Sequence, residues 1–245
     1  MTHVLFWDID GTLLTTGRAG IFALEQAAQD VCGIEVDLQS MPTSGLTDSQ
    51  IAARVIEDCG QEASAERVGA LLRAYERHLP ERLGWRRGRV LPGVHEILED
   101  VAIRPGVVSL LLTGNTRAGA AAKLAHYGLD GHLFDGGFCA DTDDRDAIAR
   151  RAWQLAAERE GGEVVPERTY VVGDTPHDVA CARAIGARAV AVASGSYGRD
   201  ELEAAGPWLL LDALPEPERF AALLGLPPRA RDAAASRPPA GTGAG

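Results

Sequence analysis

The segment Asp8-Ile9-Asp10-Gly11-Thr12-Leu13 sets two carboxylates one residue apart, directly after the apolar run His3 to Trp7 and beside a glycine where the chain must turn. Carboxylates this close repel, so such a pair holds a cation or divides acid and base roles between its members. A solvated surface turn does not need to follow a buried strand so directly. A second segment, Val171-Val172-Gly173-Asp174-Thr175-Pro176-His177-Asp178, ends another apolar run in one acid and adds a further acid four residues on. A helix that begins between those two acids turns both toward one opening. Hard oxygen donors of this kind suit Mg2+, which keeps several waters and binds one or two carboxylates. Between the two acidic segments lies Thr113-Gly114-Asn115, again after an apolar run and before a helix from about Arg117. Such a loop offers a hydroxyl and backbone N–H groups to a phosphate at a helix N-terminus, although a structural cap uses the same residues.

These segments need a scaffold that brings them together. Short apolar runs at His3 to Trp7, Val107 to Leu112, Tyr170 to Val172, Ala189 to Ala193 and Trp208 to Leu211 alternate with helical patterns. That order predicts a doubly wound α/β fold with a mainly parallel sheet, in which ligands collect beyond the C-terminal strand ends. The alternation is broken between about Thr15 and Arg89, where no strand is evident and Ile21 to Val31, Ser49 to Cys59 and Ala65 to His78 have helical periodicity. The reading is a Rossmann-like core of residues 1–14 and 90–226 interrupted by a helical insert, 15–89, with Thr47 or Asp48 capping its middle helix. Pro92 and Gly93 mark the return to the core, followed by a helix over Val94 to Val101. From Pro227 onward, residues 227–245 are rich in Pro, Gly and Ala and poor in large apolar groups, which predicts a disordered tail.

Composition excludes several other classes. With 245 residues, 46% of them hydrophobic, the chain can bury a full core. A formal charge of −11 argues against a general nucleic-acid binder, so any anion must be captured by a local site. No apolar run approaches the roughly 20 residues that span a bilayer, and the N-terminus lacks the features of a secretory signal, so a cytoplasmic protein without membrane contact is expected. Cys32, Cys59, Cys139 and Cys181 form no CxxC pair and read as buried thiols rather than zinc or redox ligands.

The three acidic and Thr-Gly-Asn segments, in this order and each at a strand end, resemble the haloacid dehalogenase superfamily of phosphohydrolases. The resemblance runs to about Leu226, and the long interval between the first two segments is similar to the helical cap of the phosphoglycolate phosphatase and β-phosphoglucomutase branch. It implies that Asp8 is the nucleophile and a Mg2+ ligand, and that Asp10 is the general acid/base with its backbone carbonyl on the metal. Asp174 is implied as a direct ligand, and Asp178 as a group that orients a metal-bound water or its neighbours. Thr113 and Gly114 are implied to hold the phosphoryl group, with Asn115 nearby. In the family the nucleophile strand is central, between those carrying the second and last segments.

The family also places a lysine beyond the Thr-Gly-Asn loop. Lys123, the only lysine of the chain, falls too early for that role and is expected on the surface of its helix. Arg145 is the expected substitute, since a guanidinium bridges carboxylate and phosphate. Arg18, Thr47 and Asp48 are candidates for substrate selection. Leu46 stands where related enzymes carry the arginine of a Gly-Arg-Thr-Asp-like segment, so no particular acidic substrate transfers to this chain. Arg82, Arg86, Arg87 and Arg89 could form an anion-facing rim near the second hinge but read rather as a solvated charged face, and the placement of His177 favours ligation no more than a surface turn.

The expected activity is Mg2+-dependent hydrolysis of a small phosphorylated metabolite, for which phosphoglycolate is one candidate. The alternatives are a sugar-phosphate mutase on the same core and a non-catalytic binding protein. Carbon–halogen chemistry is disfavoured by Asp10 and Asp174, and Schiff-base phosphonate hydrolysis by an insert without lysine.

Overall fold

The structure is a computed structural model, and it describes residues 2–85, 87–133, 135–139, 144–160 and 164–230. Strand β1 (His3–Trp7) is fully buried, and its side chains alternate between two cores. Leu5 and Trp7 face one side with Ile97 and Leu98 of α4 (Val94–Ala102), Leu124 of α5 (Arg117–His126) and Phe220 of α9 (Pro217–Leu224). Val4 and Phe6 face the other, with Ala149 and Ala152 of α6 (Arg145–Glu160) and Val179 of α7 (Pro176–Ala184). A strand covered on both faces is apolar at every position, which is why the sequence shows a continuous run rather than alternation.

β1 pairs in parallel with β4 (Val107–Leu112) on one side and β6 (Thr169–Gly173) on the other. The full parallel order adds β5 (Gly136–Gly137) beyond β4, and β7 (Arg188–Val192) then β8 (Leu209–Leu211) beyond β6. This is the expected doubly wound sheet, with the three acid-bearing or Thr-Gly-Asn strand ends adjacent. β5 escapes sequence reading because two glycines carry no apolar signal.

The stretch that interrupts the alternation folds into α1 (Ala19–Cys32), α2 (Asp48–Asp58) and α3 (Ala65–Trp85). Ala23, Leu24, Ala27, Val55, Ile56, Leu71 and Leu79 build a hydrophobic cluster of their own. α3 continues seven residues beyond the expected end, through Pro80, because Leu79 and Leu83 keep its apolar face buried. One further element was not expected: β2 (Leu14–Thr15) and β3 (Arg89–Val90) pair antiparallel where the chain leaves the sheet and returns. Two-residue strands are too short to leave a periodic signal.

Of the segment 227–245, Pro227 and Arg229 are tied down: the Pro227 carbonyl accepts from Arg104, and Arg229 Nε donates to Asp100 at 2.7 Å. Residues 231–245 lie outside the described residues. Among the described residues no helix is long and apolar enough to cross a membrane.

Candidate active site

The parallel pairing puts the residues that follow β1 and β6 side by side. Asp8, Asp174 and Asp178 each offer a carboxylate oxygen, and these atoms lie within 4.8 Å of one another. All three side chains are buried. Burial, then the charges of Asp178 and Asp174, raise the Asp8 carboxyl well above the ordinary value, with Arg145 opposing. Burial and Asp178 push Asp174 up to about 7. Three buried carboxylates this close stay ionised together only beside a cation, so the donor set fits a hard divalent metal.

Two glycines make room for this cluster. At Gly11, φ is +89° and a Cβ would stand 2.4 Å from Asp174 Oδ2; at Gly195 it would stand 1.6 Å from the same atom. Thr12 Oγ1 donates to Asp174 Oδ1 at 3.1 Å, and Ser194 Oγ donates to the Gly11 carbonyl at 2.7 Å. Asp178 also closes a capping box: Oδ2 accepts from the Thr175 N–H and hydroxyl, while Thr175 Oγ1 accepts from the Asp178 N–H. Its other oxygen accepts from Arg145 Nη1 at 3.1 Å.

Asp10 stands apart from the three-acid group. Its Oδ2 accepts from Asn115 Nδ2 at 2.9 Å and from Lys123 Nζ at 2.5 Å, and Lys123 also donates to Asn115 Oδ1. This corrects the surface placement expected for Lys123, which is only 5% exposed. α5 is covered by the sheet on one side and by the helical insert on the other, a tertiary effect that the helix periodicity does not contain. A lysine is buried when it is paired. Burial pulls the ammonium down, but Asp10 and Asp48 outweigh it and hold the pKa above the ordinary value.

Arg145 begins α6 and lies in the site, with its Nη1 on Asp178 and its buried Nε without a hydrogen-bond partner. The preceding residues Asp141, Thr142 and Asp143 lie outside the described residues. In the Thr-Gly-Asn loop, Thr113 Oγ1 accepts from Asn115 Nδ2 at 2.7 Å, and Asn115 points on to Asp10. Gly114 runs against the insert, where a Cβ would meet the Leu46 carbonyl at 2.8 Å and Arg145 Nη2 at 3.1 Å.

The helical insert stands over these groups and leaves a partly open cavity of about 540 Å³; Asp8, Asp10, Gly114, Asn115, Lys123, Arg145 and Asp174 line its floor. Arg18, Ile21, Asp48, Tyr75 and Arg89 contribute to the walls. Thr47 is fully buried and caps α2 in a capping box with Gln50, so its hydroxyl serves the helix. Asp48 instead accepts from the Thr116 N–H at 2.7 Å, and burial pushes its carboxyl up to about 6. Arg18 has φ 68° and donates from Nη2 to the Gln39 carbonyl at 2.5 Å, pinning the loop after α1. Of the arginine group near the second crossing, Arg82 lies over Trp85 at 4.1 Å, Arg86 is outside the described residues, and Arg89 reaches the cavity wall. His177 packs against the insert, since a Cβ on Gly45 would stand 2.1 Å from its Cδ2.

Cys59, Cys139 and Cys181 are buried and Cys32 is partly so, and all four are free thiols. Lys123, Thr12, Thr116 and Ser194 were missed as site residues. Lys123 carried a signal as the one lysine in an arginine-rich chain, and Thr12 by its place in the segment Asp8 to Leu13.

The sequence matches the haloacid dehalogenase-like hydrolase family over residues 5–183. It is 31% identical over 224 residues to the protein named "Probable phosphatase IndB" of Dickeya dadantii, covering 88% of this chain and 92% of that one. It is 33% identical over 174 residues to a phosphoglycolate phosphatase of Synechococcus elongatus, covering 62% of this chain and 79% of that one. The solved structure of CbbY from Rhodobacter sphaeroides in complex with phosphate has the same fold, with a TM-score of 0.69 at 18% identity over 87% of this chain and 95% of that one.

Proposed function

The chain belongs to the haloacid dehalogenase-like hydrolase family, and on that premise we propose that it is a Mg2+-dependent phosphatase of a small phosphate monoester, working through an aspartyl-phosphate on Asp8. The observation that carries this reading is the convergence of Asp8, Asp174 and Asp178 at two adjacent strand ends, with Asp10 held separately by Lys123 and Asn115. The segregation separates a nucleophile from an acid/base. Both curated relatives described above are named as phosphatases, which supports the same activity here.

Asp8, Asp174 and the backbone of Asp10 would hold Mg2+, with Asp178 supporting its waters and neighbours. The ion would supply positive charge beside the transferring phosphoryl group and permit the three acids to ionise together. An Asp8 oxygen attacks phosphorus as the ester P–O bond breaks, and Asp10 gives its proton to the departing alkoxide. Asp10 then takes a proton from water as that water attacks phosphorus, which breaks the acyl-phosphate bond, frees phosphate and restores Asp8. Lys123 and Asn115 both hold Oδ2 of Asp10, leaving its second oxygen for the proton. Arg145, whose buried Nε has no partner, would meet a phosphoryl oxygen, and so would the Gly114 N–H, since the N–H groups of Thr113, Asn115 and Thr116 already donate to Gly137, Thr113 and Asp48.

Residues 15–89 act in this reading as a cap that excludes bulk water, and 1–14 with 90–226 as the catalytic core. A cavity of about 540 Å³ suits a phosphorylated metabolite. Phosphate release from a panel of phosphorylated metabolites, with Mg2+ and with EDTA, tests the reading. Magnesium-dependent release identifies the best substrate. A bisphosphate product with slow net release would mark a mutase, and no turnover of any ester would remove the enzymatic reading.

A further inference from the structure

Asp48 holds the Thr-Gly-Asn loop at two points. Its backbone N–H donates to the Gly114 carbonyl at 2.7 Å, and its carboxylate accepts from the Thr116 N–H at 2.7 Å. Asn115, the residue between those two groups, has its backbone gripped from both sides by one residue of the insert. Its side chain in turn donates to Asp10 and accepts from Lys123, which itself donates to Asp10.

Several features make this contact specific. Thr47 caps α2 with its own side chain, so the Asp48 carboxylate is not needed at its own helix end. The charged and titratable groups that act on Asp48 are Lys123 on α5, Asp10 after β1 and Glu76 on α3; Tyr75 and Cys139 feel its charge in return. Lys123 is the cation among them. A carboxylate without such partners would be costly to bury.

We propose that Asp48 is a positioning residue that makes the acid–base competence of Asp10 depend on closure of the helical insert, by fixing the Gly114–Thr116 backbone from which Asn115 and α5 with Lys123 orient the Asp10 carboxylate. With the insert withdrawn, both hydrogen bonds of Asp48 to that loop are lost, and Asn115 is no longer held from both sides. Proton transfer to the leaving group is thereby confined to the closed, water-excluding state. The proposal assigns Asp48 to catalysis through Asp10 rather than to substrate selection, and it rests on the phosphatase reading above.

The test exploits leaving-group chemistry. An alkoxide needs the proton of a general acid, whereas p-nitrophenolate departs with little help. The wild-type chain and Asp48→Ala are compared by kcat/KM, which reports phosphoryl transfer to Asp8, using p-nitrophenyl phosphate and the best alkyl phosphate of the panel. The expected result is a loss of about 10²-fold for the alkyl ester and of less than about threefold for the aryl ester. Asp48→Asn, which keeps an acceptor oxygen and guards against misfolding of the alanine variant, is expected to show the same asymmetry with a smaller loss. Equal losses for both esters, or none for either, overturn the proposal and leave the phosphatase reading intact. A wild-type protein inert toward both esters removes the phosphatase reading itself.

Discussion

Lys123 Nζ lies 2.5 Å from Asp10 Oδ2, joining the one lysine of the chain to the acid/base candidate across 113 residues of sequence. The ammonium is buried while the Asp10 side chain is 42% exposed, so the pair has a fixed end and an end open to the cavity. That asymmetry suits a carboxylate that must be held and must also exchange protons.

Replacing Lys123 with Met keeps the stem and removes the charge. In that variant kcat/KM for alkyl phosphates should fall by about 10²-fold, with a smaller loss for p-nitrophenyl phosphate, because Asp10 then hangs on Asn115 alone. Steady-state kinetics on both esters checks this; an unchanged alkyl rate would return Lys123 to a purely structural role.

Gly45 has φ +78°, and a Cβ there would collide with the His177 ring. Gly45→Ala should hold the insert away from the core and lower kcat/KM about tenfold or more through misplacement alone. The double variant with His177→Ala should recover much of that loss, leaving the cost of the backbone conformation. Failure of the second substitution to restore activity would show that this contact does not govern closure.

The acid cluster also predicts how stability depends on pH. In the absence of a divalent ion, burial and Asp178 raise Asp174 to about 7 from an ordinary 3.8, and burial and its acidic neighbours raise Asp8 well above its ordinary value. A group whose folded pKa is raised favours folding fully below its unfolded pKa and loses that contribution as pH rises through the folded value. The metal-free protein should therefore melt lower at pH 8 than at pH 5. Mg2+ should raise the melting temperature by about 5 °C at pH 8 and far less at pH 5. Asp48, raised to about 6, contributes with the same sign over 3.8 to 6, and Mg2+ should not reverse its part. Melting curves at both pH values, with EDTA and with Mg2+, measure the difference; equal shifts would argue against metal binding by these acids.

Arg145 pairs with Asp178 through Nη1 and keeps a buried Nε free of partners. Arg145→Lys retains charge but cannot span both groups, and about a tenfold to hundredfold loss in kcat/KM is expected. Arg145→Ala should lose more and move the acidic limb of the pH–rate profile upward, because the guanidinium lowers Asp8. A profile identical to wild type would place Arg145 outside the electrostatics of the nucleophile.

Much of this was legible in the sequence because buried parallel strands announce themselves as short apolar runs. His3–Trp7 and Val107–Leu112 match β1 and β4 residue for residue, so the sequence alone puts Asp8 and Thr113 at strand ends. The contacts that cross between separate segments were not legible. Helix periodicity gave α5 a surface, but packing of the insert over that surface buried Lys123. Likewise, the capping pattern nominated both Thr47 and Asp48, and only the fold shows that Thr47 keeps the cap while Asp48 turns to Thr116. Gly195 carries no periodic signal, and its need for a missing Cβ appears once Asp174 is beside it.

The proposed mechanism stands most directly on the covalent role of Asp8. Rapid acid quench of the Mg2+-loaded enzyme with its best substrate, followed by peptide mass spectrometry, should find one phosphoryl group on Asp8 in the wild type and none in Asp8→Asn, which should also release no phosphate. Full turnover by Asp8→Asn, or a phosphoryl group trapped on a different residue, would contradict it.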